Sequence, residues 1–199
     1  MKAFFSILSV YSTPMSLHEF DRTHFQSALS YGLYAPLASK LLESRGVVLH
    51  PFFAQGHNFR YEIGTEHGVS ALLAHTLGDL LENIDIGYIA SECNISEEEL
   101  AFLNKYKDSQ PIALLLGRDL YFHPHAEFIA HTLGRLSTKC QIRFFVQDFT
   151  PIPHTNHTQE ILNTDILESL PDNNGAYVYL LKDNDCKDLG ESVLLIPET

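Results

Sequence analysis

Histidine is the residue type with which this chain is best supplied for chemistry: there are 11. His123, His125 and His131 gather at the head of one expected helix, and His154 and His157 lie in the loop beyond it. Three converging imidazoles with an open or fourth position would suit Zn²⁺ or Ni²⁺. However, a spacing of six puts His125 and His131 on different helix faces. No carboxylate completes an H-E-x-x-H pattern. Solvated or loop-packed imidazole is therefore the stronger reading, and a metal site the weaker.

The second candidate is Gly117-Arg118-Asp119, at the carboxyl end of an expected parallel strand, where open α/β sheets bind ligands. Arg118 could meet a phosphate or carboxylate, and Asp119 could accept from a ribose hydroxyl or a pterin amine. The plainer alternative is a turn capped by Asp119 beside a solvated Arg118. Neither G-x-G-x-x-G nor G-x-x-x-x-G-K-[ST] accompanies the loop, which favours the plainer reading. No G-x-S-x-G elbow is present, and no cysteine has a catalytic-type setting. Glu97, Glu98 and Glu99 read as a helix start favoured by the dipole, not as an acid/base pair.

One unit must position the loop at Gly117. Ile112–Leu116 is a run of five apolar residues, which predicts a short strand buried on both faces. Gly117 ends it. Pro124 suits a first helical turn, where its missing N–H costs nothing. Ala126, Ile129, Ala130 and Leu133 then share a helical face. A strand at Ile142–Val146 completes a βαβ unit, implying parallel pairing and a right-handed crossover.

Lys2–Val10 is expected to be the first strand, closed by the turn Ser12-Thr-Pro14. A helical region kinked at Pro36 is expected over Glu19–Glu43, with Gly46 as a C-terminal stop. Val47–Leu49 reads as a second strand, and Phe52 to Tyr61 as a loop. Thr65 is an N-cap candidate ahead of the stripe Val69, Leu72, Leu73, Leu77, Leu80 and Leu81. Residues Glu82–Tyr88 read as a connection. Ser96 and Glu99 form a capping box opening a helix to about Lys107. Beyond Val146 the pattern predicts a Pro-containing loop, a short helix over Gln159–Leu170, and edge strands at Tyr177–Leu181 and Val193–Ile196. The expectation is one α/β domain over 1–199, with core βα units in 1–147 and the loop, helix and edge strands in 148–199. The fold class is a three-layer, Rossmann-like α/β arrangement, its mostly parallel sheet covered by helices on both faces.

Composition narrows the function classes. The chain has 199 residues, is 45 % hydrophobic, and carries a formal net charge of −12. That charge disfavours nucleic acid and anionic membrane surfaces. Three scattered cysteines, Cys93, Cys140 and Cys186, make neither a disulfide framework nor an iron–sulfur ligand set. They suit a reducing compartment, so a cytoplasmic location is expected. The apolar start Ala3–Val10 is short and lacks a clear small-x-small cleavage site. No segment approaches the roughly 20 apolar residues that span a bilayer.

Two longer stretches carry a family likeness. Arg60-Tyr-Glu-Ile-Gly-Thr-Glu-His-Gly-Val-Ser-Ala-Leu-Leu-Ala74 is the first. Leu114-Leu-Leu-Gly-Arg-Asp-Leu-Tyr-Phe-His-Pro-His-Ala-Glu-Phe-Ile-Ala130 is the second. Together they resemble the large iron–sulfur subunit of bacterial NADH-quinone oxidoreductase (respiratory complex I). The likeness is to its molybdopterin-oxidoreductase-type domain, in the form found in epsilonproteobacteria. Gly87-Tyr-Ile-Ala-Ser-Glu-Cys-Asn94 fits the same pattern, and the likeness spans about residues 20 to 147. The family's cysteine-rich cluster region has no equivalent here, so no cluster or pterin ligand carries over. The resemblance implies a non-catalytic scaffold without a cofactor of its own, packed against other subunits of a respiratory complex in its peripheral, cytoplasmic arm. The competing expectation is an independent nucleotide- or anion-binding protein or enzyme, using Gly117–His123 and the loop Ser12–Pro14.

Overall fold

The computed structural model describes residues 2–43, 45–52, 57–81 and 84–149. Among these described residues six strands form one sheet: β1 (Met15–Ser16), β2 (Ser27–Tyr31), β3 (Val47–Leu49), β4 (His57–Phe59), β5 (Ile112–Leu116) and β6 (Ile142–Val146). Their order is β1-β6-β5-β2-β3-β4, and all five pairings are parallel. The expected strand at Pro111 is thus central. It registers Leu114 against Leu29 on one side and against Phe144 on the other.

Alternation along the central strands builds two cores. Ile112, Leu114 and Leu116 of β5 join Leu29, Tyr31, Phe144 and Val146 on one face. Ala113 and Leu115 join Ala28, Val48 and Phe145 on the other. Ile112 and Leu114 to Leu116 are all fully buried, and each leucine or isoleucine so buried contributes about 1.5–3 kcal/mol. The first face is covered by α1 (Lys2–Tyr11), α3 (Glu66–Gly78) and α7 (Ala126–Lys139); α4 (Ile86–Cys93) and α5 (Glu97–Asn104) pack on α3. The second face is covered by α2 (Ala35–Leu42) together with Phe20 and Phe25. The architecture is a three-layer α/β fold.

Several local expectations are corrected. Lys2–Val10 is helix, not strand. Phe4 and Leu8, one turn apart, are its buried residues, and Tyr11 lies directly over Gly134 of α7. The first strand is instead the two-residue edge β1, after the Ser12–Pro14 turn. The region Glu19–Glu43 is not one helix: it holds part of one 3₁₀ turn, a second such turn, the central strand β2, and α2. All of β2 is buried, so its text lacks the alternation of a half-exposed strand. Pro36 lies in the first turn of α2 instead of kinking a longer helix.

Elsewhere the shifts are smaller. Gly46 does not cap α2; the left-handed residue there is Glu43, and a Cβ on Gly46 would meet the Ala28 carbonyl at 2.5 Å. The loop 52–61 contains β4, and the connection 82–88 contains the start of α4. Helix α3 ends before Leu80, at the left-handed Asp79. Helix α5 closes in a 3₁₀ turn over Lys105–Asp108. Pro124 precedes α7, whose N-cap is His125. The expected helix Gln159–Leu170 and the strands Tyr177–Leu181 and Val193–Ile196 lie outside the described residues, as do His154 and His157.

Candidate functional site

Strands β2 and β5 end side by side, and the chain leaves them for opposite faces. Strand β2 leads to α2, and β5 leads through α6 (Arg118–Tyr121) to α7. This is the topological switch point, the place where open parallel sheets hold ligands. Because every described strand is parallel, Ser12–Pro14 lies at the opposite, amino end of the sheet. The two loops expected from the sequence to act together do not share a site.

Gly117 draws the two strand ends together. Its N–H donates to the Tyr31 carbonyl at 2.9 Å. A Cβ there would stand 1.7 Å from the Gly32 oxygen and 2.3 Å from the Leu33 nitrogen. Glycine at 117 thus lets the two strand ends approach more closely than any side chain would permit.

Arg118 is engaged by the chain itself. Its Nε donates to Asp148 Oδ2 at 2.5 Å, and Tyr121 donates to the same oxygen at 3.0 Å. The guanidinium and the hydroxyl hold the Asp148 carboxyl below the usual range.

Asp119 turns toward β3. Its Oδ2 is 3.7 Å from Nε2 of His50, the residue that follows β3. Burial, then the Glu66 charge, push its carboxyl up to about 6. His50 Nδ1 accepts from the Phe52 N–H at 3.1 Å, which leaves the ring proton on Nε2, facing Asp119. Burial pushes the His50 imidazole down to about 4.

A second group joins the head of α3 to the loop before α7. Glu66 is only 4 % exposed, and its Oε2 lies 3.1 Å from His123 Nε2. That contact lacks hydrogen-bond alignment, and Oε2 has no hydrogen-bond partner among the described residues. His123 Nε2 also meets the Gly64 carbonyl at 3.1 Å, while its Nδ1 accepts from the His125 N–H at 2.9 Å. The ring proton therefore sits on Nε2. Tyr31, from the end of β2, donates its hydroxyl to the Glu66 carbonyl. His67 completes the group, its ring centroid 5.6 Å from His123 and 4.8 Å from His125. Burial and these two neighbours hold the His67 imidazole below its ordinary value.

His131 is not part of this cluster. It faces α1, where its Nδ1 meets the Tyr11 hydroxyl at 3.1 Å. Among the described residues, no three His, Cys, Asp or Glu side chains converge to hold a metal ion. Motif reading does not reach Glu66, His67 or His50. His50 carries a legible signal, since it directly follows Val47–Leu49 and so occupies the same strand-end position as Gly117. Glu66 and His67 follow the Thr65 cap, but no local pattern ties them to His123 across the fold.

Beside this crest an open cleft of about 520 Å³ runs between Ala3–Phe4 and the segment Tyr121–Phe128. Phe122 and Phe128 rim it, 62 % and 47 % exposed. No helix among the described residues is long and apolar enough to cross a membrane. No protein-family model matches the chain, and no curated protein matches it significantly.

Proposed function

We propose that this chain is a non-catalytic α/β domain or small subunit of a respiratory NADH-quinone oxidoreductase-like assembly, serving as scaffold in its peripheral, cytoplasmic arm. One observation supports the non-catalytic part: several groups at the strand ends that could meet a ligand are already engaged within the chain. Gly117 rests on the Gly32 carbonyl, Asp148 engages Arg118, and the Glu66 carboxylate stands at the head of α3, where an anion would otherwise sit. The assembly part rests on the resemblance of Arg60–Ala74 and Leu114–Ala130. The exposed Phe122 and Phe128 supply apolar surface of the kind that subunit packing covers. Capture of the tagged protein from its own membranes tests this reading. Co-purification of other respiratory subunits, with no stoichiometric iron, flavin or molybdenum retained by the isolated chain, is the expected result. A free protein that retains a redox group would overturn it.

A second reading is favoured by Asp119 alone. Its carboxyl remains 39 % exposed at the switch point, open to a donor on a small ligand. Phosphate-type anions fit poorly beside Asp119 and Glu66, so this reading narrows to ligands that offer N–H or O–H groups. Calorimetric titration with nucleosides and nucleotides separates the two readings, since a scaffold shows no saturable heat.

A further inference from the structure

We propose that His67, His123 and His125, with Glu66, form a proton-gated latch. It fastens loop 122–125 to the head of α3 at neutral pH and releases it on acidification.

The latch joins two parts of the chain far apart in sequence. Glu66 and His67 open α3, whereas His123 and His125 belong to the segment between α6 and α7. The three rings stand 4.8, 5.5 and 5.6 Å apart, centroid to centroid. At those distances neutral rings pack, but two imidazolium ions repel one another.

Both ring nitrogens of His123 are engaged. Its Nδ1 accepts from the His125 amide, and its Nε2 already faces the Gly64 carbonyl and Glu66. Protonating Nδ1 would set a donor against a donor and break the turn that carries His125. The Glu66 carboxylate offers a favourable contact to one added proton in the cluster, not to two or three.

The surrounding charges do not remove this sensitivity. Loop 62–65 presents Glu62 and α7 presents Glu127, both exposed. Helix α6 presents Asp119 and Arg118, the latter engaged by Asp148, which follows β6. Strand β2 presents the buried Tyr31, β3 is followed by the neutral His50, and α4 presents Glu92 and the buried thiol Cys93. Tyr31, His50 and Cys93 are neutral near pH 7, and exposed carboxylates are screened by solvent. The sign follows. His67, held below its ordinary value of 6.5, binds more protons in the open form, so the closed form is weakened as pH falls below that value. Release would free the Gly64 carbonyl and the Glu66 carboxylate beside the Phe122 cleft, making that surface pH-dependent.

Hydrogen exchange of the full chain at pH 7.5 and pH 5.5, corrected for the intrinsic rate, tests the latch. The expected result is a severalfold loss of protection over residues 60–67 and 120–128 at pH 5.5, larger than any loss in β5. In H67F, which keeps an aromatic ring without a titrating nitrogen, that loss should shrink severalfold. His125 is exposed, so H125N provides the same test should H67F fail to fold. Both variants retain His50, so acid loosening that persists undiminished in either would overturn the latch. Equal protection at the two pH values in the unmodified protein would also overturn it.

Discussion

Asp119 Oδ2 and His50 Nε2 face each other across 3.7 Å at the ends of β5 and β3, and their environment moves them in opposite directions. The carboxyl is pushed up to about 6 and the imidazole down to about 4, so at neutral pH the pair is a carboxylate beside an uncharged ring. Burial is the first cause of both shifts, because it disfavours the charged form of either group. At 3.7 Å the contact exceeds direct hydrogen-bond length.

Replacing Asp119 by Asn should therefore stabilise the protein at neutral pH. Between pH 3.8 and about 6 the folded Asp119 binds more protons than the unfolded one, so its carboxylate costs stability above that window and the cost fades as pH falls. Its partial exposure reduces the gain from D119N to the order of 1 kcal/mol. His50 has the opposite sign. Between about 4 and 6.5 the unfolded chain binds the extra proton, so stability falls with pH, by about 3 kcal/mol in all. Asp119 partly offsets that loss, and D119N should make the acid decline steeper. Urea unfolding at pH 7, 5.5 and 4.5 measures both effects. Profiles that run parallel for the two proteins would contradict the assignment.

How legible this was depends on where the signal resides. The run Ile112–Leu116 announced a doubly buried strand because each of its five side chains meets a core. Short-range chemistry was equally plain: Ser96 Oγ accepts from the Glu99 N–H, and the Glu99 carboxylate accepts from the Ser96 N–H. Strand β2 was hidden inside an expected helix because Ser27 and Ser30 are buried polar residues in a central strand, which binary patterning reads as exposed. Helix α1 was hidden because its apolar residues are dense enough to suit a strand as well. Of the candidate site, Gly117 to Asp119 were found from the strand-end rule. Glu66 and His67 were not, since their partner His123 lies more than fifty residues away and no local period records such a contact.

The capping box gives a simple stability test. S96A removes the acceptor for the Glu99 N–H at 3.2 Å, and also the hydroxyl at 2.9 Å from the Glu99 carboxylate. A loss of about 1 kcal/mol is expected, with the slope of the denaturant curve unchanged. Loss of several kcal/mol would mean that α5 does more than cover α3.

The Arg118–Asp148 pair should matter less for stability than its 2.5 Å length suggests. Both side chains are 46 % exposed, and pairs in that setting contribute about 0–1 kcal/mol. A double-mutant cycle with R118Q and D148N should return a coupling within that range, weakening in 1 M salt. A larger coupling would point to Tyr121, whose hydroxyl donates to the same carboxylate and whose own proton is held more tightly by burial.

Gly117 separates a folding role from a binding role. If it were glycine only so that a ligand could approach, G117A would fold normally and lose an affinity. The contacts say otherwise: the added Cβ would fall 1.7, 2.1 and 2.3 Å from three backbone atoms of Gly32 and Leu33, none of which can rotate away. The φ of Gly117 is −94°, a value any residue adopts, so the obstruction is steric and not conformational. Relief would require prising β5 from β2 at their carboxyl ends, in the middle of the sheet, at a cost of more than about 4 kcal/mol. Gly64 provides the contrast. Its φ of +86° strains any other residue, but a Cβ there meets nothing within 4 Å, so G64A should lose only about 1 kcal/mol. Thermal melts of the two variants should separate widely, with G117A unfolded or nearly so at room temperature. A G117A protein that melts close to the unmodified chain would show that the strand ends have room to part, and the switch point would again be available to a ligand.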